Sequence, residues 1–431
     1  MTTTSIAIIL LLGVFAVLIL LRTPIPIALM TSTALTMLYL DLPLMTMMQQ
    51  MAKSINSFSL MAVPMFILAG EIMGVGGISD KIVDFANALV GRFRGGLACV
   101  NCLDSMFFGG ISGSAVADVS SLGSIVIPMM EKSGYDREFA IALTVTTSCQ
   151  GVLIPPSHNM IFFALAAGSV SVGKLFLGGA IPGILLGFAL MCYSLIISAK
   201  RQYPKGEKMG LKQILRVTWE ALIALFTAII IMGGVTLGWF TATESAAVAC
   251  IYAFLISMFL YKTLKVRDIP KMLANVVGTL CLSFSLIAAA GAFGYVLAFL
   301  KVPALLTRFL LSITENKYLL LLLINLMLLG LGCIMDMAPI IFIVTPILLP
   351  VVKSFGMDPV HFGVMMIFNL AVGLCTPPVG SALFVGCAIG KTPIERTAKN
   401  MLPLYAVMVI CLLLVTYVPA LSLWLPNLIM R

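Results

Sequence analysis

Two windows of this chain repeat each other at a constant offset of 222 residues. Gly110 pairs with Gly332, Pro128 with Pro350, Gly134 with Gly356, Asp136 with Asp358, Gly151 with Gly373, Pro155-Pro156 with Pro377-Pro378, and Gly168 with Gly390. The matches fall on residues that shape the backbone, not on the abundant Leu, Ile and Ala where chance identities would collect. The chain therefore carries a duplicated structural unit, and its fold has to be built twice.

The duplicated unit is too apolar for water. Hydrophobic residues make up 61% of the chain and charged residues 10%, against about 25% charged in an ordinary soluble domain. An all-α polytopic membrane protein is expected. The first apolar run, Ser5 to Leu21, has no basic residue ahead of it and no small-residue cleavage site behind it. It reads as a retained span, with Met1 as the mature N-terminus. The cysteines sit in apolar segments, which argues against a disulfide framework. Cys99-Val-Asn-Cys102 lacks the second pair that a zinc site needs.

Ten segments are apolar and long enough to cross a bilayer, at about 4–22, 24–40, 58–77, 136–169, 175–198, 215–238, 243–262, 276–300, 358–390 and 400–424. Two further stretches, 97–131 and 318–352, are too long for one helix and have polar or helix-breaking centres. Each is expected to be a re-entrant helical hairpin. With the N-terminus outside, this arrangement puts 19 of the 26 Lys and Arg residues in cytoplasmic loops, as the positive-inside rule requires. Outside remain Lys53, Lys174, Lys301, Arg308, Lys317, Lys353 and Arg431. The net charge of +9 is thereby explained without nucleic acid. Five crossings separate Pro128 from Pro350, so the copies form an inverted structural repeat, an arrangement that places binding sites at the repeat interface near the midplane.

The first hairpin turns in Phe107-Phe108-Gly109-Gly110-Ile111-Ser112-Gly113-Ser114-Ala115-Val116-Ala117-Asp118. Unpaired backbone there would cost several kcal/mol per group in hydrocarbon, so the turn is expected against protein or water. After each hairpin comes a helix broken by a proline pair, at Ile154-Pro155-Pro156-Ser157-His158-Asn159 and Thr376-Pro377-Pro378-Val379-Gly380-Ser381. Freed carbonyls and C-terminal helix ends can bind a cation, and exposed N–H groups at an N-terminal end can bind an anion. Two hairpin tips and two broken helices thus predict a site for an organic anion together with Na+. The Na+ ligands are drawn from Gly110, Ser112, Ser114, Thr147, Pro155, Gly332, Asp336, Asn369, Gly373, Thr376 and Pro377. The solute-binding residues are drawn from Ser112, Gly113, Ser157, His158, Asn159, Pro378, Gly380 and Ser381. Asp336 aligns with Ser114 and reads as an ion ligand or as a helix N-cap. Asp104 and Asp118 read as caps or hairpin braces, Glu71 and Glu244 as bracing or solvated carboxylates, and His158 as a structural or substrate-orienting imidazole. No GxSxG, HExxH or Walker sequence is present, so no enzyme activity and no ATP-driven step are expected.

Ser112-Gly113-Ser114-Ala115-Val116-Ala117-Asp118, Ile154-Pro155-Pro156-Ser157, Asp336-Met337-Ala338-Pro339 leading to Thr345-Pro346-Ile347-Leu348-Leu349-Pro350, and Gly373-Leu374-Cys375-Thr376-Pro377-Pro378-Val379-Gly380 resemble the large membrane subunit of tripartite ATP-independent periplasmic (TRAP) transporters. The resemblance runs from about residue 5 to 425. It implies a Na+-driven, elevator-type carrier in the bacterial inner membrane, supplied by a soluble periplasmic substrate-binding protein and working with a separate small four-helix membrane subunit. By the same resemblance residues 1–95 hold the scaffold helices and arm of the first repeat, and 96–170 the first hairpin and broken helix of a moving transport domain. Residues 171–315 hold the helix closing the first repeat, a cytoplasmic loop and the second scaffold and arm. Residues 316–392 hold the second hairpin and broken helix, and 393–431 a last helix. Ala371 stands where some members carry an acidic residue, and His158-Asn159 where others are apolar. A standalone Na+-coupled anion carrier would share the hairpins and repeat. A channel fits less well because polarity is confined to the breaks, and a membrane enzyme lacks a nucleophile and base.

Overall fold

A computed structural model describes residues 3–168, 170–206, 209–314 and 316–430. Met1, Ser169, Lys208 and Arg431, which entered the expectations above, lie outside them. The described chain is helical: α1 (Thr3–Leu20), α2 (Ile25–Tyr39), α3 (Leu44–Ile55), α4 (Ala62–Val75), α5 (Ile78–Val90), α6 (Gly96–Ser112), α7 (Ala115–Lys132), α8 (Arg137–Thr147), α9 (Gln150–Leu153), α10 (His158–Ala167), α11 (Val172–Lys200), α12 (Leu211–Thr236), α13 (Ala242–Leu255), α14 (Ile269–Phe299), α15 (Val302–Ile313), α16 (Lys317–Ile334), α17 (Met337–Ser354), α18 (Pro359–Leu374), α19 (Ser381–Gly390), α20 (Ile394–Tyr417) and α21 (Ala420–Ile429). Eight helices are long and apolar enough to cross a membrane, or ten if each of two bent pairs counts as one span.

The duplication persists in the helix boundaries. Shifted by 222 residues, α7 falls on α17, α6 on α16 within one residue, and α8–α9 on α18. The two expected hairpin segments are the helix pairs α6–α7 and α16–α17, although α16 and α17 are each among the eight helices long and apolar enough to span. The copies part company at one element. The segment that forms α3, a short 3-10 turn and α4 in the first copy is the single 31-residue helix α14 in the second. Asn56 to Ser57 interrupts the first copy, whereas α14 runs unbroken through the equivalent Gly278 and Thr279, so intrinsic helix propensity does not set the difference.

Two expectations need correction. The span drawn at 58–77 is α4, which ends at Gly76 and turns by 69° into α5 because Gly77 adopts a left-handed φ of 69°. The last helix is two: α20 ends at Tyr417, two residues short of Pro419, which immediately precedes α21. A proline lacks the N–H that would continue the helix.

The helices sort into two packed groups. In one, α4 packs on α13 and α14, α3 and α2 on α14, and α1 on α2. In the other, the hairpins pack on α8 to α11 and α18 to α20. Helix α5 bridges them on one side, held by a Lys81–Glu220 ion pair of 2.7 Å to α12. Glu71 accepts from Asn275 at 2.8 Å, and Glu244 completes a capping box with Thr241, so both carboxylates brace or cap as expected.

Candidate functional site

The first hairpin tip lies backbone to backbone against the first break. Gly113 ends α6 with φ 64°, and a Cβ there would sit 2.5 Å from the Pro156 carbonyl oxygen. A Cβ on Gly109 would sit 2.6 Å from Cα of Gly151, and one on Gly110 would sit 3.3 Å from the Pro155 carbonyl oxygen. Only glycine permits this approach. Ser114 caps α7, its hydroxyl accepting from the Ala117 N–H at 3.3 Å, while its own N–H donates to Ser112 Oγ at 3.5 Å. Ser157 precedes α10 at the cap position but makes no cap bond, and its fully buried hydroxyl has no partner. Its neighbours are the buried Asn159 and the half-buried His158, whose ring meets Phe162 edge-on at 5.6 Å. Such an unpaired buried hydroxyl invites a ligand.

The second tip is built the same way. A Cβ on Gly373 would sit 2.7 Å from Cα of Gly332, and the Val379 N–H donates to the Cys333 carbonyl at 3.1 Å. Asp336 stands at the cap position of α17, the place Ser114 holds on α7, without the side-chain cap bond that Ser114 makes. Instead its Oδ1 accepts from Ser381 Oγ at 3.5 Å. Asp336 thus sits where an N-cap would, with an exposed carboxylate at the tip. Gly380 is buried, Pro377 half-buried, and Pro378 exposed. Thr376 spends its hydroxyl on the Val372 carbonyl at 2.7 Å. Both proline pairs contain a cis peptide bond.

The breaks meet. Cys149 Sγ lies 3.0 Å from Cys375 Sγ and 3.0 Å from the Ala371 carbonyl, and Cys375 Sγ lies 3.1 Å from the Val145 carbonyl. Moving four residues back along one helix moves the contact four residues forward along the other, so the helices cross antiparallel. Cys149 and Ala371 are themselves equivalent under the 222-residue shift, which puts the crossing on the pseudo-twofold relation between copies.

Thr147 and Asn369, equivalent positions both read as ion ligands, sit two turns before their breaks and brace each broken helix to its hairpin. Thr147 Oγ1 donates to Asn101 Oδ1 at 3.1 Å and lies 3.2 Å from Ser105 Oγ. Asn369 Nδ2 donates to the Asn325 carbonyl at 2.9 Å and to its Oδ1 at 2.8 Å, leaving its own buried Oδ1 unpaired. Asp118 is the hairpin brace expected of it, accepting from Ser105 Oγ at 3.2 Å. Asp104 is not, since both its buried oxygens lack partners. Sequence reasoning passed over Gln150, whose Oε1 is buried and unpaired beside the break, and Gly109; neither stands in the offset matches that pointed to the site. The two tips also differ in cover. The Ser112 carbonyl and Gly110 face Gly70 on α4 and Ala228 on α12, whereas Ile334, Asp336 and Val379 are exposed. Among the described residues no three His, Cys, Asp or Glu side chains gather to hold a metal. A cation here would rest on hydroxyls, amides, carbonyls and Asp336, the hard-oxygen set that suits an alkali ion.

A family profile described as "Tripartite ATP-independent periplasmic transporter, DctM component" matches residues 12–421. The chain is 41% identical to the uncharacterized protein YgiK of Salmonella typhimurium, over 98% of this chain and 97% of that one. It is 39% identical to the isethionate TRAP transporter permease protein DctMQ of Oleidesulfovibrio alaskensis, over 96% of this chain and 65% of that one. It is also 39% identical to the sialic acid TRAP transporter large permease protein SiaM of Vibrio cholerae, over 88% and 89%. Among solved structures the MtrF efflux pump of Neisseria gonorrhoeae superposes with a TM-score of 0.65 at 13% identity, over 96% of this chain and 97% of that one, a likeness of fold.

Proposed function

The chain belongs to the DctM family, the membrane component of tripartite ATP-independent periplasmic transporters, and on that premise we propose that it imports a small organic anion, a carboxylate or sugar acid, coupled to Na+. It is a transporter component and not an enzyme. The observation that carries the proposal is the pair of glycine-sealed contacts between hairpin tip and proline break, each with unsatisfied oxygen chemistry beside it. At the first, Ser157 Oγ is buried and unpaired; at the second, the Asp336 carboxylate is exposed and makes no side-chain cap bond.

In this reading Na+ sits at the tips, held by Ser114, Asp336 and carbonyls such as those of Gly110, Pro155 and Pro377. The acidic group of the solute meets the N-terminal ends of α10 and α19, with Ser157, His158, Asn159, Gly380 and Ser381 orienting it. The group containing hairpins and breaks is the moving domain, and the group containing α1–α4 and α12–α14 is the scaffold. The N-terminus is periplasmic, the membrane is the bacterial inner membrane, a periplasmic binding protein delivers the solute, and a small four-helix subunit completes the membrane part. This chain covers 65% of the DctMQ permease protein of Oleidesulfovibrio alaskensis.

The test is uptake into proteoliposomes holding this chain and the small subunit, with the binding protein outside and an inward Na+ gradient. Labelled C4-dicarboxylate, sialic acid and isethionate serve as probes. Accumulation is expected for at least one, only with Na+ and the binding protein. Equal uptake without the binding protein assigns a standalone carrier instead, and no Na+-dependent uptake of any probe overturns the reading.

A further inference from the structure

A cavity of about 320 Å3 lies on the seam between the two helix groups. Gln50, Lys53 and Ser54 of α3 line one wall, and Leu165 of α10 with Phe342 and Pro346 of α17 line the other. Its position along α10 matters: Leu165 is two turns beyond His158, toward the C-terminal end of that helix. Lys53 is the one charged residue in the lining. Lys53 is exposed and shares a turn with Ser54, which packs against Gly291 of α14 where a Cβ would collide with it. The Ser54 hydroxyl donates to the Gln50 carbonyl one turn back in the same helix at 2.8 Å, and Gln50, Lys53 and Ser54 together present a polar face to the cavity.

The floor leads to the site. Phe342, a lining residue, stacks on Phe162 at 5.5 Å between centroids, and Phe162 meets His158 at 5.6 Å. Phe162 is 2% exposed and Phe342 9%, so two aromatic rings separate the cavity from the imidazole.

We propose that this cavity is an anteroom for the transported anion, in which the Lys53 ammonium and the Gln50 and Ser57 side chains hold its carboxylate or sulfonate group above the Phe162–Phe342 floor. The proposal rests on the functional reading above for what is carried, but not for the attraction itself, which is a property of the cavity. One wall belongs to each helix group, so relative movement of the groups changes the width of the cavity while the cation stays with α3. A fixed positive charge in a narrow, partly apolar cleft concentrates anions at its mouth and loses that effect as salt screens it.

Two measurements on the complete membrane complex test it. First, Ala166→Cys places a thiol on the cavity wall, and its modification rates by an anionic and a cationic methanethiosulfonate are read at residue 166 by peptide mass. The anionic reagent is expected to gain about five- to tenfold over the cationic one when Lys53 is present, and adding Lys53→Gln is expected to remove that gain while Lys53→Arg keeps it. A reagent ratio unchanged by Lys53→Gln overturns the proposal, whatever the transport assay gives. Second, for the probe anion that wild type accumulates, Lys53→Gln is expected to raise the half-saturating concentration about five- to tenfold at low ionic strength with maximal rate unchanged, the difference closing at 0.5 M salt. Equal half-saturation at low salt overturns the anteroom as a step in transport. Failure of wild-type uptake for every probe counts against the functional reading alone, because the thiol measurement stands without it.

Discussion

At the scale of residues, the site rests on where a side chain is missing. Gly373→Ala would push a methyl group to 2.7 Å from Cα of Gly332, and neither backbone can retreat without parting hairpin from helix. A loss of about 1–3 kcal/mol is expected, read as a lower midpoint of thermal unfolding in detergent; an unchanged midpoint would show that the contact yields. Ser157→Ala removes a buried hydroxyl that has nothing to lose in the protein itself, so its stability should be unchanged while the Na+ concentration for half-maximal uptake or the solute half-saturation rises several-fold. A stability loss with unchanged uptake would mark Ser157 as structural. The glycines and prolines that repeat at 222 residues were legible because their conformational roles are written in residue type. The role of Thr147 was not, because a hydroxyl two turns from a break looks the same in sequence whether it faces an ion or, as here, Asn101 on the neighbouring hairpin.

At the scale of elements, the hairpins and broken helices were readable from apolar length and helix breakers, and their observed ends agree within a few residues. What escaped was α3 as a separate helix, a short amphipathic segment whose Gln49, Gln50 and Lys53 keep it from reading as a span, and the division of the C-terminal segment into α20 and α21, set by Pro419 inside apolar text. The break in α18 has a support of its own: Tyr405 of α20 donates its hydroxyl to the Cys375 carbonyl at 2.5 Å, at the end of α18. Tyr405→Phe leaves that carbonyl unsatisfied and should cost about 1–2 kcal/mol. Helix α20 then no longer pins the break, and amide exchange at Thr376, Val379 and Gly380 should quicken; protection equal to wild type would assign the hold to the crossing helices instead.

At the scale of the molecule, an antiparallel crossing such as that at Cys149 and Ala371 is what an inverted repeat would produce, and the contacts sort the helices into two groups. Cysteines placed at Lys132 and Lys353 should react with impermeant reagents from opposite sides of the membrane, and labelling from one side would end the inverted reading. If the groups slide past each other, Gly74→Cys on α4 with Ser121→Cys on α7 should trap them. A Cβ at Gly74 would lie 3.4 Å from Ser121 Oγ with no other atom within 4 Å, within reach of a disulfide. Oxidised protein should lose uptake and reduced protein regain it; full uptake by the cross-linked form would exclude relative motion at that seam. The straight α14 against the interrupted α3–α4 has a further meaning for such a machine. Its two faces are not mirror surfaces, so the waiting time before each reorientation differs between them. Unequal dwell times set how fast the cycle turns under given conditions, but microscopic reversibility leaves the sign of net flux to the ion and solute gradients. A reversed gradient should therefore drive the same chain backward, at a different speed.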